Sequence, residues 1–200
     1  MSRATRHKRP VHALLCGDSW TNLATHPKYP DTLPDWITVT NSGVAGQPIA
    51  TVSGGNPLQS RLASELAAAP AADLVVICSA GINDTLYTST TLEQMQAAIA
   101  DITAQVKAAN KWPIWCGIPT LAGYTAKNAQ VIEQEAWMAE HCRKELAGFI
   151  SLIDDFCEGG EIKAEYDRDG GHFNAAGAAL LADKVVNEIH CSAWRKAAVA

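Results

Sequence analysis

A serine, a histidine and an aspartate are placed along this chain so that they could act together on an acyl group. Ser19 closes the tripeptide Gly17-Asp18-Ser19, directly after the apolar run 11–16. A serine hydroxyl is a poor nucleophile until a base takes its proton, and histidine titrates near neutrality. His172 is the candidate base, and Asp169 stands three residues before it in Asp169-Gly170-Gly171-His172. A turn of that length lets the carboxylate accept a hydrogen bond from Nδ1–H, which fixes the tautomer and leaves Nε2 to face Ser19. The glycines between them permit a tight backbone path. Attack on a carbonyl also creates an oxyanion, which needs donors already in place. The backbone N–H groups of Ser19 and Gly46 are candidates, with the side-chain amide of Asn83 in Gly81-Ile82-Asn83-Asp84. Gly-Asp-Ser alone carries little weight, since a given tripeptide recurs by chance in roughly one chain in tens. Its ordered partners carry the argument.

Those residues need a frame that brings positions 19, 46, 83 and 172 to one edge. Strand signals fall at 11–16, 37–40, 74–79, 114–118 and 149–153. The third, Leu-Val-Val-Ile-Cys-Ser, is apolar without alternation, as expected of a strand covered on both faces. Between them lie helical stripes: Leu62, Leu66 and Ala69; Leu92, Met95, Ile99, Ile102 and Val106; Ile132, Ala136, Ala139 and Cys142; and Ala178, Leu181, Val185 and Ile189. All four read as core-facing. Five strand–helix repeats imply a parallel sheet with helices on both sides, a flavodoxin-like doubly wound α/β domain. Ligands of such sheets sit beyond the carboxyl ends of the strands. Ser19 follows the first strand, where it opens a helix; Gly46 follows the second, Asn83 the third, and His172 lies after the fifth. The Pro-rich residues 26–34 read as a loop, and Asn174 as the cap of the last helix.

Composition narrows the function classes. Two hundred residues fit one core, placed here at 11–200 after a flexible basic segment at 1–10. A net charge of -5 argues against nucleic acid, whose phosphates need clustered cations. No apolar run is long enough to span a bilayer, and 11–16 is too short for a signal peptide core, so the chain reads as cytoplasmic. Six cysteines without a CxxC pair, several on central strands, read as reduced thiols. The histidines lack metal-ligand spacing. Glu165, Asp167, Asp169 and Gly170 imitate the start of an EF-hand loop, but Ala176 stands where its closing glutamate belongs, so no metal is expected. No GxGxxG or P-loop pattern is present.

Four blocks, Gly17-Asp18-Ser19-Trp20, Asn41-Ser42-Gly43-Val44-Ala45-Gly46, Gly81-Ile82-Asn83-Asp84 and Asp169-Gly170-Gly171-His172, together resemble the SGNH hydrolase superfamily of GDSL-type esterases and lipases. The likeness spans nearly the whole chain. It implies a three-layer α/β/α fold, no required cofactor, and hydrolysis through an acyl-enzyme. On it, Ser19 is the nucleophile, Gly46 and Asn83 complete the oxyanion hole, and Asp169 and His172 are acid and base. Gly46 is preferred to Gly43 for its spacing from Asn41. Trp20 departs from the pattern, where an aliphatic residue is usual.

The expected function is a serine esterase acting on a small-molecule or carbohydrate ester, with short acyl groups such as acetyl favoured because the chain leaves little room for a lid. Tyr87, Pro119, Tyr124 and Phe173, on loops at the carboxyl edge, are candidate pocket residues. A thioesterase or lysophospholipase of the same superfamily is the alternative. A non-catalytic carbohydrate-binding module on the same fold is a second, and a nucleotide or flavin binder cradling phosphate at residues 19–22 a third.

Overall fold

The computed structural model describes residues 10–78 and 81–199. Its centre is a five-stranded sheet: β1 (Val11–Gly17), β2 (Ile37–Asn41), β3 (Leu74–Cys78), β4 (Trp112–Cys116) and β5 (Gly148–Ile150). The order is β2-β1-β3-β4-β5, and every pairing is parallel. This is the doubly wound, flavodoxin-like arrangement that the alternation of elements predicts. The basic cluster Arg3, Arg6, His7, Lys8 and Arg9, and Ser79 at the end of the third predicted strand, lie outside the described residues.

The sheet is covered on both faces because its central strands carry apolar side chains at odd and even positions alike. Ala13, Leu15, Leu74, Val76, Ile114 and Cys116 pack to one side, where α6 (Ala175–Val199) supplies Leu181, Val185 and Ile189. Leu14, Cys16, Val75, Ile77 and Trp115 pack to the other, against α1 (Leu58–Ala68) and α3 (Leu92–Ala108). Each fully buried Leu or Ile is worth about 1.5–3 kcal/mol relative to exposure. The result is three layers, α/β/α. A capping box at Thr91 and Gln94 starts α3. No disulfide links the cysteines, and Cys16, Cys116 and Cys142 are buried. Among the described residues, no helix is long and apolar enough to cross a membrane.

The structure corrects three local expectations and adds one element. Ser19 does not open a helix: Thr21 and Asn22 N–H donate to the Asp18 carbonyl, closing a single turn. The fifth strand stops at Ile150, because Ile153 starts the short helix α5 (Ile153–Phe156). A small hairpin, β6 (Cys157–Glu158) with β7 (Glu161–Ile162), then precedes the histidine segment. Finally, α4 (Thr125–Lys144) buries Val131, Gln134, Glu135, Met138 and Cys142, while Ile132 stays 53% exposed and Ala136 and Ala139 face solvent. The apolar periodicity misplaced that face because two of its true members are polar.

Candidate active site

Ser19 is presented by a turn that only glycine could introduce. Gly17 ends β1 at φ +142°, and a Cβ there would meet Thr21 Oγ1 at 2.5 Å and the Cys78 carbonyl at 2.6 Å. Asp18, 2% exposed, accepts the Trp20 N–H at 3.1 Å and so caps the turn. Ser19 is left half-buried on its outer side.

From the far end of the chain, His172 reaches it. His172 Nε2 lies 3.0 Å from Ser19 Oγ, and His172 Nδ1 lies 3.1 and 3.2 Å from the two Asp169 oxygens. The loop that makes this possible is shaped by its own side chains. Asp167 Oδ1 accepts the N–H groups of Asp169 and Gly170, and Asp169 Oδ1 accepts those of Gly171 and His172. Gly170 takes φ +83°, a left-handed backbone that costs glycine nothing. Asn174 caps α6 as expected, accepting from Ala176 and Gly177 N–H. Its amide also donates to the Glu165 and Asp167 carbonyls, tying the loop to the helix.

Partial burial pushes the Asp169 carboxyl up, but hydrogen bonds from His26 and then His172 outweigh it and hold it down at about 2. An ionised Asp169 accepts from Nδ1–H, so Nε2 is the ring's free acceptor for the Ser19 proton. These tautomers follow from the hydrogen-bond network.

On the other side of Ser19 stands Asn83, in the first turn of α2 (Ile82–Tyr87). Its Nδ2 donates to Asp18 Oδ2 and to the Gln47 carbonyl, both at 3.0 Å. Both amide hydrogens are therefore engaged, and an oxyanion would draw one away from its present partner. Gly46 is exposed, with open space where a Cβ would stand, whereas Gly43 is packed on Thr21 and spends its N–H on Asn41 Oδ1. That difference supports Gly46 over Gly43 as the backbone donor. Asp84, next to Asn83 and fully buried, accepts from Ile49 N, Ala50 N and Ser53 Oγ, so one short helix holds the whole 47–53 loop.

Beside Ser19 a cleft of about 250 Å³, open mouth included, is lined by Trp20, His26, Tyr29, Phe173 and Leu181 among others. Phe173 alone of the four pocket candidates lines it. Pro119 is buried at the exit of β4, and Tyr87 and Tyr124 pair with each other instead, hydroxyls 3.1 Å apart. Trp20, the departure from the family pattern, packs edge-on against Phe173 with ring centroids 4.1 Å apart and forms part of the wall.

Sequence reasoning missed His26. Its Nε2 lies 2.9 Å from Asp169 Oδ2, across 143 residues of chain. His26, Asp169 and His172 present atoms within 4.8 Å of one another, the spacing at which three donors can share a metal ion. Here the same lone pairs and protons are spent on mutual hydrogen bonds.

The fold has close parallels among solved structures. A GDSL-like lipase from Bacteroides thetaiotaomicron superposes with a TM-score of 0.76 at 17% identity, covering 92% of each chain. The acetylxylan esterase Axe2 from Geobacillus stearothermophilus gives 0.70 at 18% identity, over 90% of this chain and 94% of that one. TesA gives 0.68 at 22%, over 90% and 99%. A search of curated protein sequences finds no match. The family model that does match, described as a GDSL-like lipase/acylhydrolase family, aligns with residues 15–180 and so takes in Ser19, Gly46, Asn83, Asp169 and His172. The chain belongs to the GDSL-like lipase/acylhydrolase family.

Proposed function

We propose that the protein is a serine esterase that hydrolyses carboxylic esters of short acyl groups through an acyl-enzyme on Ser19. The carrying observation is the continuous chain of hydrogen bonds from Ser19 Oγ to His172 and from His172 to Asp169. In the first half-reaction Ser19 Oγ attacks the ester carbonyl while His172 Nε2 takes its proton, then returns that proton to the leaving alkoxide. Water repeats the sequence to release the acid. Asp169, ionised at all ordinary pH, orients the ring and stabilises the imidazolium. The Ser19 and Gly46 N–H groups and the Asn83 amide receive the oxyanion. Asn83 does so by exchanging its bond to the Gln47 carbonyl or to Asp18 for a stronger one to a full negative charge.

The aromatic walls of the cleft favour a short acyl chain: Trp20 and Phe173 fill space that a long chain would need. The exposed hydroxyls of Tyr87 and Tyr124, at the same edge, suit a carbohydrate leaving group, and Axe2 shares the fold. The test is turnover across p-nitrophenyl acetate, butyrate and octanoate, an acetylated xylooligosaccharide and an acyl thioester, with Ser19→Ala as control. Acetate should exceed octanoate by at least about tenfold in kcat/KM, since a well-filled site discriminates by 1–3 kcal/mol per methylene. A maximum at octanoate would overturn the short-acyl assignment, and a maximum on the thioester would overturn the assignment to carboxylic esters.

A further inference from the structure

The reaction as described assigns no task to His26, yet this residue makes the one described hydrogen bond between the Asp169 side chain and a distant part of the chain. It sits in the loop after the Ser19 turn, its side chain 16% exposed, and lines the same cleft. Its Nε2 is 2.9 Å from Asp169 Oδ2, and its Nδ1 is 2.8 Å from Thr25 Oγ1. The ring packs against His172, centroids 4.6 Å apart and planes inclined by 55°.

The proton inventory decides what His26 does. An ionised carboxylate only accepts, so His26 Nε2 carries the hydrogen it shares with Asp169. Nδ1 is paired with the Thr25 hydroxyl, so both ring nitrogens are satisfied. Asp169 Oδ1 is meanwhile occupied by its own loop, through Gly171 N, His172 N and His172 Nδ1. Oδ2 has His26 at 2.9 Å and a longer contact to His172 Nδ1 at 3.2 Å. With its side chain 39% exposed, the carboxylate would otherwise be open to rotation and to water at Oδ2.

We propose that His26 is a positioning residue: by donating to Asp169 Oδ2 it locks the carboxylate in the rotamer that aims His172 at Ser19. The proposal rests on the esterase reading above. The groups facing His26 are Asp169 and His172 from the last loop, Ser19 across the cleft, and Thr25 beside it in its own loop.

Two variants separate this from a role as mere cleft wall. His26→Gln places an amide donor near the position of Nε2, and His26→Ala removes the donor. kcat and KM on p-nitrophenyl acetate are measured with chelator present. Fluorophosphonate labelling of Ser19 and thermal unfolding are followed in parallel. His26→Ala should lose about 10- to 100-fold in kcat, the scale of a catalytic group misplaced by about 1 Å, with KM within about threefold. His26→Gln should recover most of kcat. Wild-type kcat in His26→Ala overturns the proposal, as does equal impairment of both variants. Failure of the wild-type protein to label would instead remove the esterase reading on which the proposal stands.

Discussion

The two sides of Ser19 are built in opposite ways. The side proposed to receive the oxyanion hangs on buried polar groups: Asp84, fully buried, gathers Ile49 N, Ala50 N and Ser53 Oγ, while Asn83 holds the Gln47 carbonyl. Arg61 of α1 adds a second clamp, bonding the Ser42 carbonyl and the Gln47 side chain while paired with Glu65. The side that carries the proposed base is a partly exposed glycine-bearing loop that holds its shape through its own aspartates, Asp167 and Asp169, with His26 as a distant tie. Buried polar bonds are costly to break, because each orphaned group loses both its partner and its water. Exposed ones are cheap to break. Substitutions on the oxyanion side should therefore cost stability as well as rate, and those on the base side rate alone.

The largest expected effect is on the base side. Asp169→Asn keeps the shape but offers an amide that can present the wrong partner to Nδ1–H, and should lower kcat by about 10³–10⁴-fold. Its unfolding free energy should stay within about 1 kcal/mol of wild type, as expected for an exposed group. Denaturant titration and single-turnover kinetics check both halves; a large stability loss would erase the contrast.

Neighbouring residues of α2 sharpen it. Asn83→Ala should cost about 10²–10³ in kcat, the value of one oxyanion donor. Asp84→Ala, one residue on, orphans two buried backbone donors, Ile49 N–H and Ala50 N–H, and should cost about 3 kcal/mol or more of stability. If Asp84→Ala unfolds no more easily than wild type, the oxyanion loop is not held as described.

A smaller effect tests burial away from the site. Glu135 of α4 is 4% exposed, and burial pushes its carboxyl up to about 7 despite hydrogen bonds that favour the charged form. Leu152 and Ile153 N–H both donate to its Oε1. A carboxyl raised above its unfolded value binds its proton more tightly in the folded state. Its stabilising contribution is then full below about pH 4.5 and lost as pH rises to about 7, by up to about 3 kcal/mol. Glu135→Gln keeps the acceptor and removes the titration, so unfolding free energies at pH 5 and 8 should converge. A pH slope unchanged in Glu135→Gln would assign it to other groups.

Much of this was legible in the sequence, for identifiable reasons. β1 and β3 are central, and their apolar runs, 13–16 and 74–78, read as strands buried on both faces. The Asp169–His172 pairing was legible because three residues of turn suffice to close it. The buried face of α4 was not, since Gln134 and Glu135 lie inside while Ile132 lies outside, and hydropathy carries no trace of that exchange. Nor was His26: contact across 143 residues leaves no spacing to read. The available signal was a histidine in the loop that follows the nucleophile's turn, at the edge where chemistry was already expected. Tyr87 and Tyr124 were placed on the right edge but found each other rather than the cleft beside Ser19.

The central claim is that Ser19 is a nucleophile activated by His172. It is tested most directly by labelling with a fluorophosphonate, locating the adduct by peptide mass, and repeating the reaction with Ser19→Ala and His172→Ala. One adduct is expected on Ser19 and none in Ser19→Ala, with labelling slowed by orders of magnitude in His172→Ala and p-nitrophenyl acetate turnover lost in step with the label. An adduct elsewhere, or a Ser19→Ala protein that still turns over the ester at the wild-type rate, would contradict it.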